Sequence, residues 1–461
     1  MGDTTDRFRG FPAVAAQYDR RVSTTGPTPV RGTPPVGRAT AHRLHRFRRR
    51  RARRGLGALG FLAVLGPGLL AGLSDDDPAG ITTYSILGAE HGYALLWVLL
   101  LSTAALVVFH ELAARTGVVT GKGLVLLVRE HHGRPAAAIA VGALVIANVG
   151  TLCAELAGVA IGADLLTGAG RVPSVLIAAV VVSALVLRSG FHRVEHVLLA
   201  LSLVFVSYVA AGIMAGPDWG AAARGLVEPR IPADRDAVLI AVATLGTTLA
   251  PWGLAFMQSY AVDKHLTTAD LRYERIDVVT GALLTGVIGF FVVIACAATL
   301  HPAGVSIEDG ADAARALEPL AGSGAALLFG LGILGAALLA AAVVPLSTAY
   351  SVCEAAGHPA GLDQRPRQAP LFYGSYLAAM AVAAGIVLVP SVPLVPVLYL
   401  TQVLNAVLLL AILPFMVRLG RDPAVLGAHR IGRAGLALCT TLIVAVAGAC
   451  ALLGALALGV G

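Results

Sequence analysis

The sequence predicts an all-α integral membrane protein, and three observations point to that class. Of the 461 residues, 57% are hydrophobic and only 13% are charged, whereas a soluble domain carries about 25% charged residues. Apolar runs of about 20 residues, long enough to cross a bilayer, recur along the chain. These runs lack the alternating polarity of a membrane-spanning β-strand. Because lipid accepts only helices and closed barrels as spanning structures, we predict helices.

Eleven membrane spans follow from the apolar runs, and the first and sixth of them are interrupted by Pro and Gly. Their predicted ranges are 56–90, 93–114, 136–166, 173–189, 195–216, 236–263, 274–300, 322–356, 370–390, 394–418 and 434–460.

Positive charge in the short loops predicts how the chain is oriented. Lys and Arg concentrate in alternate loops, and the loop after the seventh span is acidic, with Glu308, Asp309 and Asp312. Cytoplasmic loops carry the excess of Lys and Arg. We therefore expect a multi-pass protein of the cell membrane, with the N-terminus in the cytoplasm and the C-terminus outside.

Residues 1–54 differ from the rest of the chain, because they are polar and end in the basic run HRLHRFRRRRARR at 42–54. A composition of this kind predicts disorder. The basic run could form a nucleic-acid patch. Its position directly before the first span favours a cytoplasmic anchor for anionic lipid instead, so we expect a membrane-lipid partner and no nucleic acid.

The two interrupted spans occupy matching places in two halves of five spans each. Span 1 contains GPGLLAGLSDDDPAGITTYS and span 6 contains LGTTLAPWGLAFMQSYAVDK. Paired helix breaks of this kind indicate a transport site at the interface of an inverted repeat. The pattern is that of LeuT-like transporters, with helices 1 and 6 unwound. It predicts a transporter core at 55–420, made of repeats at about 55–216 and 236–420, and an additional eleventh helix at 434–461.

The break in span 1 places carboxylates between apolar runs. Asp75, Asp76 and Asp77 precede Pro78, which removes a backbone donor, and Gly80, which permits unwinding. Charged groups inside a membrane are costly and usually functional, although the first span could also end before the triplet and leave it in water. Freed carbonyls beside Asp77 would form an oxygen site suited to Mg²⁺, Ca²⁺ or Mn²⁺.

The break in span 6 supplies the second half of that site. Pro251 cannot donate to a carbonyl near residue 247, and Gly253 loosens the next turn. Backbone oxygens up to Ala250 could then bind an ion. A simple proline kink is the alternative, and the matching break in span 1 argues against it.

Several motifs resemble the Nramp family of divalent metal transporters over roughly residues 56–420. Gly66–Pro67–Gly68 is followed after eight residues by Asp77–Pro78, as in the family's first span. Residues 154–158, AELAG, match the family's AExxG motif in span 3. Gln402 in span 10 falls where the family carries a glutamine near the metal. The resemblance implies a transported divalent metal, which is a substrate and not a cofactor, and no enzyme activity.

Four positions depart from that family's pattern and give the resemblance a direction. Ala250 replaces a methionine ligand, Gly80 an asparagine, Trp252 a histidine associated with proton coupling, and Leu152 an aspartate. A thioether favours transition metals, and Mg²⁺ keeps its waters and uses few carboxylates. The pattern resembles the Nramp-related magnesium transporters. It implies transport of partly hydrated Mg²⁺, with Mn²⁺ also accepted, without proton coupling.

The resemblance thus suggests Asp77, Asp76, Gly80, Ala250 and Gln402 as the metal site. Other polar residues are predicted to have neighbouring roles. Glu155, Asp75 and Trp252 are candidates for an ion or proton route, although Glu155 could be structural.

Acidic and histidine side chains near the span ends are expected to be interfacial. Glu111 and Glu354 are predicted to form salt bridges there, and His91 and His110 to be satisfied at the interface.

Two other classes of function remain open at this point. An ordinary proton-coupled Mn²⁺ or Fe²⁺ transporter, or a cation-coupled symporter of an organic solute, could use the same fold. A channel would require a pore-lining ring from an oligomer, whereas both breaks lie in this one chain. We therefore expect a monomeric carrier.

Overall fold

The computed structural model describes Gly72 and residues 75–188, 203–230, 234–358, 360–362 and 364–458. The predicted N-terminal segment 1–54, most of the first half of span 1 with its GPG motif, and the first part of span 5 lie outside these residues. Within the described part the structure is helical, with no strand. The fold prediction of an all-α protein is confirmed there.

The α-helices account for all the predicted spans that fall within the described residues. They are α1 Pro78–His91, α2 Leu96–Thr120, α3 Leu124–Thr167, α4 Arg171–Leu187, α5 Ser207–Met214, α6 Trp219–Val227, α7 Arg235–Thr248, α8 Pro251–Asp263, α9 Leu271–Ala303, α10 Gly310–Arg315, α11 Glu318–Ala321, α12 Ala325–Ala356, α13 Pro370–Val387, α14 Leu394–Arg421, α15 Pro423–Leu426 and α16 Arg433–Ala457.

Eight helical segments in the described part of the chain are long and apolar enough to cross a membrane. Shorter apolar helices at Arg171–Leu187 and Val204–Met214 correspond to spans 4 and 5. The structure joins an extra segment to span 3, because α3 begins at Leu124 and contains a kink at Gly133 (φ 85°, ψ 174°). A positive φ of this kind is easy only for glycine, and the predicted start at residue 136 lies just after it.

Helix packing reflects the repeat of two five-span halves. α1 packs on α9, and the α8 half of span 6 packs on α2. Spans 1 and 6 correspond in the two halves, as do spans 2 and 7, so the same pairing occurs twice. α12 and α14 both lie along α3 and complete the bundle.

The interrupted sixth span runs through the centre of this bundle. In its most apolar stretch 94% of the residues are buried, against 17% for α16 at the periphery. A helix apolar all round belongs in the interior of a bundle. The break between α7 and α8 is therefore enclosed by protein, which is the condition under which irregular backbone is tolerated at membrane depth.

Candidate metal site at the two helix breaks

Asp77 directly precedes α1 and caps its N-terminus. Its backbone is extended (φ −84°, ψ 171°), and its side-chain Oδ1 accepts a hydrogen bond of 2.6 Å from the Gly80 N–H. Pro78 occupies the first helical position, where a missing N–H costs nothing. Asp77 is thus a helix cap as well as a buried carboxylate. Sequence reasoning predicted the break but not this second role.

The break in span 6 consists of Leu249 and Ala250, which leave the helical conformation between α7 and α8. Pro251 begins α8 and has no N–H to offer the carbonyl of Thr247. The Ala250 carbonyl accepts hydrogen bonds from the N–H groups of Gly253 (3.1 Å) and Leu254 (3.5 Å). The Thr247 carbonyl is therefore the freer backbone oxygen, whereas Ala250 O already belongs to the first turn of α8.

The two breaks meet around Gly80. A Cβ at this position would lie 2.9 Å from the Asp75 carbonyl oxygen, 3.3 Å from Asp77 Oδ1 and 3.4 Å from Thr247 Oγ1. Gly80 therefore allows the chain to approach itself closely, rather than simply leaving room for an ion. The hydroxyl of Thr247 is buried and has no hydrogen-bond partner among the described residues. Sequence reasoning considered only the backbone of this residue.

Carboxylates collect at this point. Asp75, Asp76, Asp77 and Glu155 are each at most 3% exposed. The Asp77 and Glu155 carboxyl groups lie within interaction range of one another, although they come from α1 and α3. Because isolated buried charges are costly, such a group of carboxylates favours a cation. The interpretation that the triplet lies in water after span 1 is wrong.

Gln402 and Asn405 form a hydrogen-bonded pair on α14. The Asn405 amide donates to Gln402 Oε1 (2.8 Å) and to Thr151 Oγ1 on α3 (2.9 Å), and Gln402 Nε2 donates to Thr401 Oγ1 (3.2 Å). Both ends of the Gln402 amide are thus engaged within the protein. This network fixes α14 against α3, and metal contact by Gln402 stays a prediction.

Trp252 lies at the start of α8 and is part of the apolar core. Its side chain is 1% exposed and lies 6.4 Å from the Phe256 ring, and its carbonyl accepts a hydrogen bond of 2.9 Å from Ser347 Oγ. A role for Trp252 on an ion route stays a prediction.

The two interfacial acids behave differently. Glu111 forms the predicted salt bridges, with Arg115 at 2.6 Å and with Arg275 at 2.8 Å. The prediction for Glu354 is wrong: it forms no ion pair within the described ranges, and accepts hydrogen bonds from Ser259 Oγ and from backbone N–H groups at the start of α3. It borders a cavity of about 400 Å³ between the ends of α2, α8 and α12.

The prediction for His110 is also wrong. This side chain is 1% exposed inside the bundle, and its Nε2 has no hydrogen-bond partner among the described residues. Its position on the sequence suggested a helix end, but α2 continues for ten residues beyond it. The described residues contain no cluster of three or more His, Cys, Asp or Glu side chains arranged as a metal cage.

Comparison with known proteins identifies relatives over most of the chain. The family model described as Nramp, natural resistance-associated macrophage protein-like, matches residues 68–456. The divalent metal cation transporter MntH of Verminephrobacter eiseniae is 31% identical over 294 residues, which are 61% of this chain and 66% of that protein. MntH of Acidiphilium cryptum is 32% identical over 297 residues, or 62% and 68% of the two chains. The aligned part thus spans about two thirds of each relative.

Solved structures show the same architecture at low identity. The Eremococcus coleocola manganese transporter, in complex with an aromatic bis-isothiourea substituted compound, has a TM-score of 0.68 and 17% identity, covering 88% of this chain and 94% of that one. MhsT in complex with L-phenylalanine has a TM-score of 0.55 and 16% identity, covering 84% and 97%. These similarities establish the fold, and the predicted LeuT-like inverted repeat is confirmed.

Proposed function

The chain belongs to the Nramp family of membrane metal transporters, and from this premise we propose that it moves divalent metal cations across the cell membrane. Mg²⁺ is the proposed main substrate, and Mn²⁺ is also accepted. The ion crosses partly hydrated and without coupling to protons. The metal is cargo, so the protein acts as a carrier and not as an enzyme.

The observation that carries this proposal is the meeting of both helix breaks at Asp77. Asp77 Oδ1 and the Thr247 hydroxyl flank the same glycine, and the carboxyl group of Glu155 faces Asp77 from α3. These donors are all hard oxygens, and a few carboxylates with retained water suit Mg²⁺. Ala250 offers no thioether that would favour a transition metal.

Transport of an organic solute is the weaker alternative. MhsT, which has the same fold, was solved with an amino acid bound. The carboxylate of such a substrate would lie next to the buried Asp75, Asp76 and Asp77 at the break. Neighbouring like charges repel strongly in a low-dielectric interior.

The remaining features of the proposal concern topology and assembly. Loop charge supports an N-terminus in the cytoplasm and a C-terminus outside, with the basic segment before span 1 held to anionic lipid. A site formed by two breaks of one chain supports a functional monomer. The proposal further includes metal contacts by Asp76, Gly80, Ala250 and Gln402. It also includes the domain bounds 1–54, 55–420 and 434–461.

Uptake into proteoliposomes tests the proposal, with a Mg²⁺-sensitive dye and a pH dye enclosed together. Because Asp77 also caps α1, the informative variant is Asp77→Asn, which retains a capping oxygen and loses the charge. We expect Mg²⁺ entry in the wild type without proton flux, and loss of entry in Asp77→Asn. The exposed Asp164 provides the control, Asp164→Asn, with uptake like that of the wild type.

Two outcomes would contradict the proposal. Mn²⁺ entry accompanied by protons, with no Mg²⁺ entry, would indicate the ordinary proton-coupled Mn²⁺ or Fe²⁺ transporter of the family. Full Mg²⁺ uptake by Asp77→Asn would remove the Asp77 carboxylate from the site.

A further inference from the structure

Two buried side chains of different chemistry approach Gly253. A Cβ on Gly253 would lie 3.2 Å from the imidazole Nε2 of His110 and 3.5 Å from Oδ1 of Asp75. His110 approaches from α2, and Asp75 from the chain just before α1. Gly253 lies in the first turn of α8 and is close to both side chains.

The glycine at 253 leaves room beside two side chains and is not needed for backbone conformation. Gly253 is absent from the described positions with positive φ, so an alanine could adopt its backbone angles. A methyl group there would occupy the space between the imidazole and the carboxylate. The sequence indicated only a helix-loosening role for this glycine.

Both side chains lack partners although they face one space. His110 and Asp75 are each 1% exposed, and neither His110 Nε2 nor either Asp75 oxygen has a hydrogen-bond partner within the described ranges. Buried polar atoms in native proteins are almost always satisfied. A cation placed between the two would satisfy a ring nitrogen and a carboxylate oxygen together.

We propose that His110 and Asp75 form a second divalent-cation subsite beside Gly253, which takes Mn²⁺ or another first-row transition ion in preference to Mg²⁺. Imidazole nitrogen suits transition ions, whereas Mg²⁺ prefers an all-oxygen shell. Water completes the coordination. The inference rests on the proposed transport function. It places a preference for transition metals at His110 and Asp75, whereas Ala250 provides no thioether for such a preference.

The subsite is separate from the oxygen site at Asp77. Asp77 Oδ1 points to Gly80, whereas Asp75 Oδ1 points to Gly253. One protein could thus hold an ion at each position, with Mn²⁺ retained more strongly at the nitrogen-containing one.

The test measures Mn²⁺ binding to the purified full-length protein in detergent by electron paramagnetic resonance. The signal of unbound Mn²⁺ during a titration gives the number of ions bound per protein. Pulsed spectra detect the ¹⁴N nucleus of an imidazole that coordinates Mn²⁺. We expect two Mn²⁺ ions and a nitrogen signal in the wild type. Asp77→Asn should retain one ion together with the nitrogen signal, so failure of the oxygen site and failure of the subsite are distinguishable.

Two variants remove the subsite by different means. His110→Gln deletes the nitrogen donor and Gly253→Ala fills the space. Each should weaken one Mn²⁺ site about tenfold or more and abolish the nitrogen signal, and His110→Gln should do so without changing Mg²⁺ binding. The control is His131→Gln, because His131 is exposed. A nitrogen signal that survives in His110→Gln, or its absence from the wild type, would overturn the subsite and leave the Asp77 site untouched.

Discussion

Glu354 is predicted to stabilise the end of the bundle where α3 begins. Its carboxylate accepts hydrogen bonds from Ser259 Oγ at 2.6 Å, from the Val125 N–H at 3.0 Å and from the Leu126 N–H at 3.4 Å. α3 begins after Gly123, which offers no side-chain cap. Glu354 on α12 therefore caps a different helix and connects it to α8.

The expected loss in Glu354→Ala can be estimated from these contacts. Removing a helix cap costs about 1 kcal/mol, and leaving a buried N–H without its acceptor costs about 1–3 kcal/mol. The adjoining cavity of about 400 Å³ can hold water that replaces part of the lost bonding, and the Ser259 hydroxyl can rotate. We therefore expect the free energy of unfolding to fall by about 2 kcal/mol.

Unfolding by SDS in mixed micelles, followed by tryptophan fluorescence, measures this change. Glu354→Gln keeps one acceptor oxygen and should lose about half as much. The control is Glu130→Ala: Glu130 pairs with Lys122 at 2.6 Å, but both side chains are about 40% exposed, and exposed pairs contribute about 0–1 kcal/mol. The capping argument is refuted if the free energy of unfolding of Glu354→Ala lies within 0.5 kcal/mol of the wild-type value, which is roughly the scale of a surface substitution.

Two further predictions concern the site itself. A Cβ at Gly158 would overlap the ring of Pro78, so Gly158→Ala should displace α1 and reduce Mg²⁺ uptake. The control Gly150→Ala should transport normally, because its Cβ would lie 3.5 Å from the nearest atom. Equal uptake by the two variants would contradict the packing argument. Ala250→Met introduces a thioether and should lower the ratio of the initial uptake rates of Mg²⁺ and Mn²⁺ about tenfold. The two rates are measured with both ions present in competition. An unchanged ratio in folded protein would show that residue 250 does not contact the transported ion.

Local sequence was sufficient to predict the membrane spans within the described residues and the breaks in spans 1 and 6. Long apolar runs have only one stable backbone form in lipid, so the spans follow from composition and length. Pro78 and Pro251 break helices for covalent reasons that need no tertiary information. The motif around Asp77 and the matching places of the two breaks were likewise visible along the chain.

The positions of individual polar side chains depended on the tertiary structure. His110 and Glu354 both read as interfacial residues, because sequence distance to a span end says nothing about which neighbouring helix covers a side chain. Packing of α2 against α8 buries His110 beside Gly253, and packing of α12 near the start of α3 turns Glu354 into a cap. The sequence by itself determined the spans and the breaks, since these obey local rules; the surroundings of His110 and the hydrogen-bond partners of Glu354 were decided by contacts between residues far apart in the chain, which for Glu354 are separated by 95 to 229 positions.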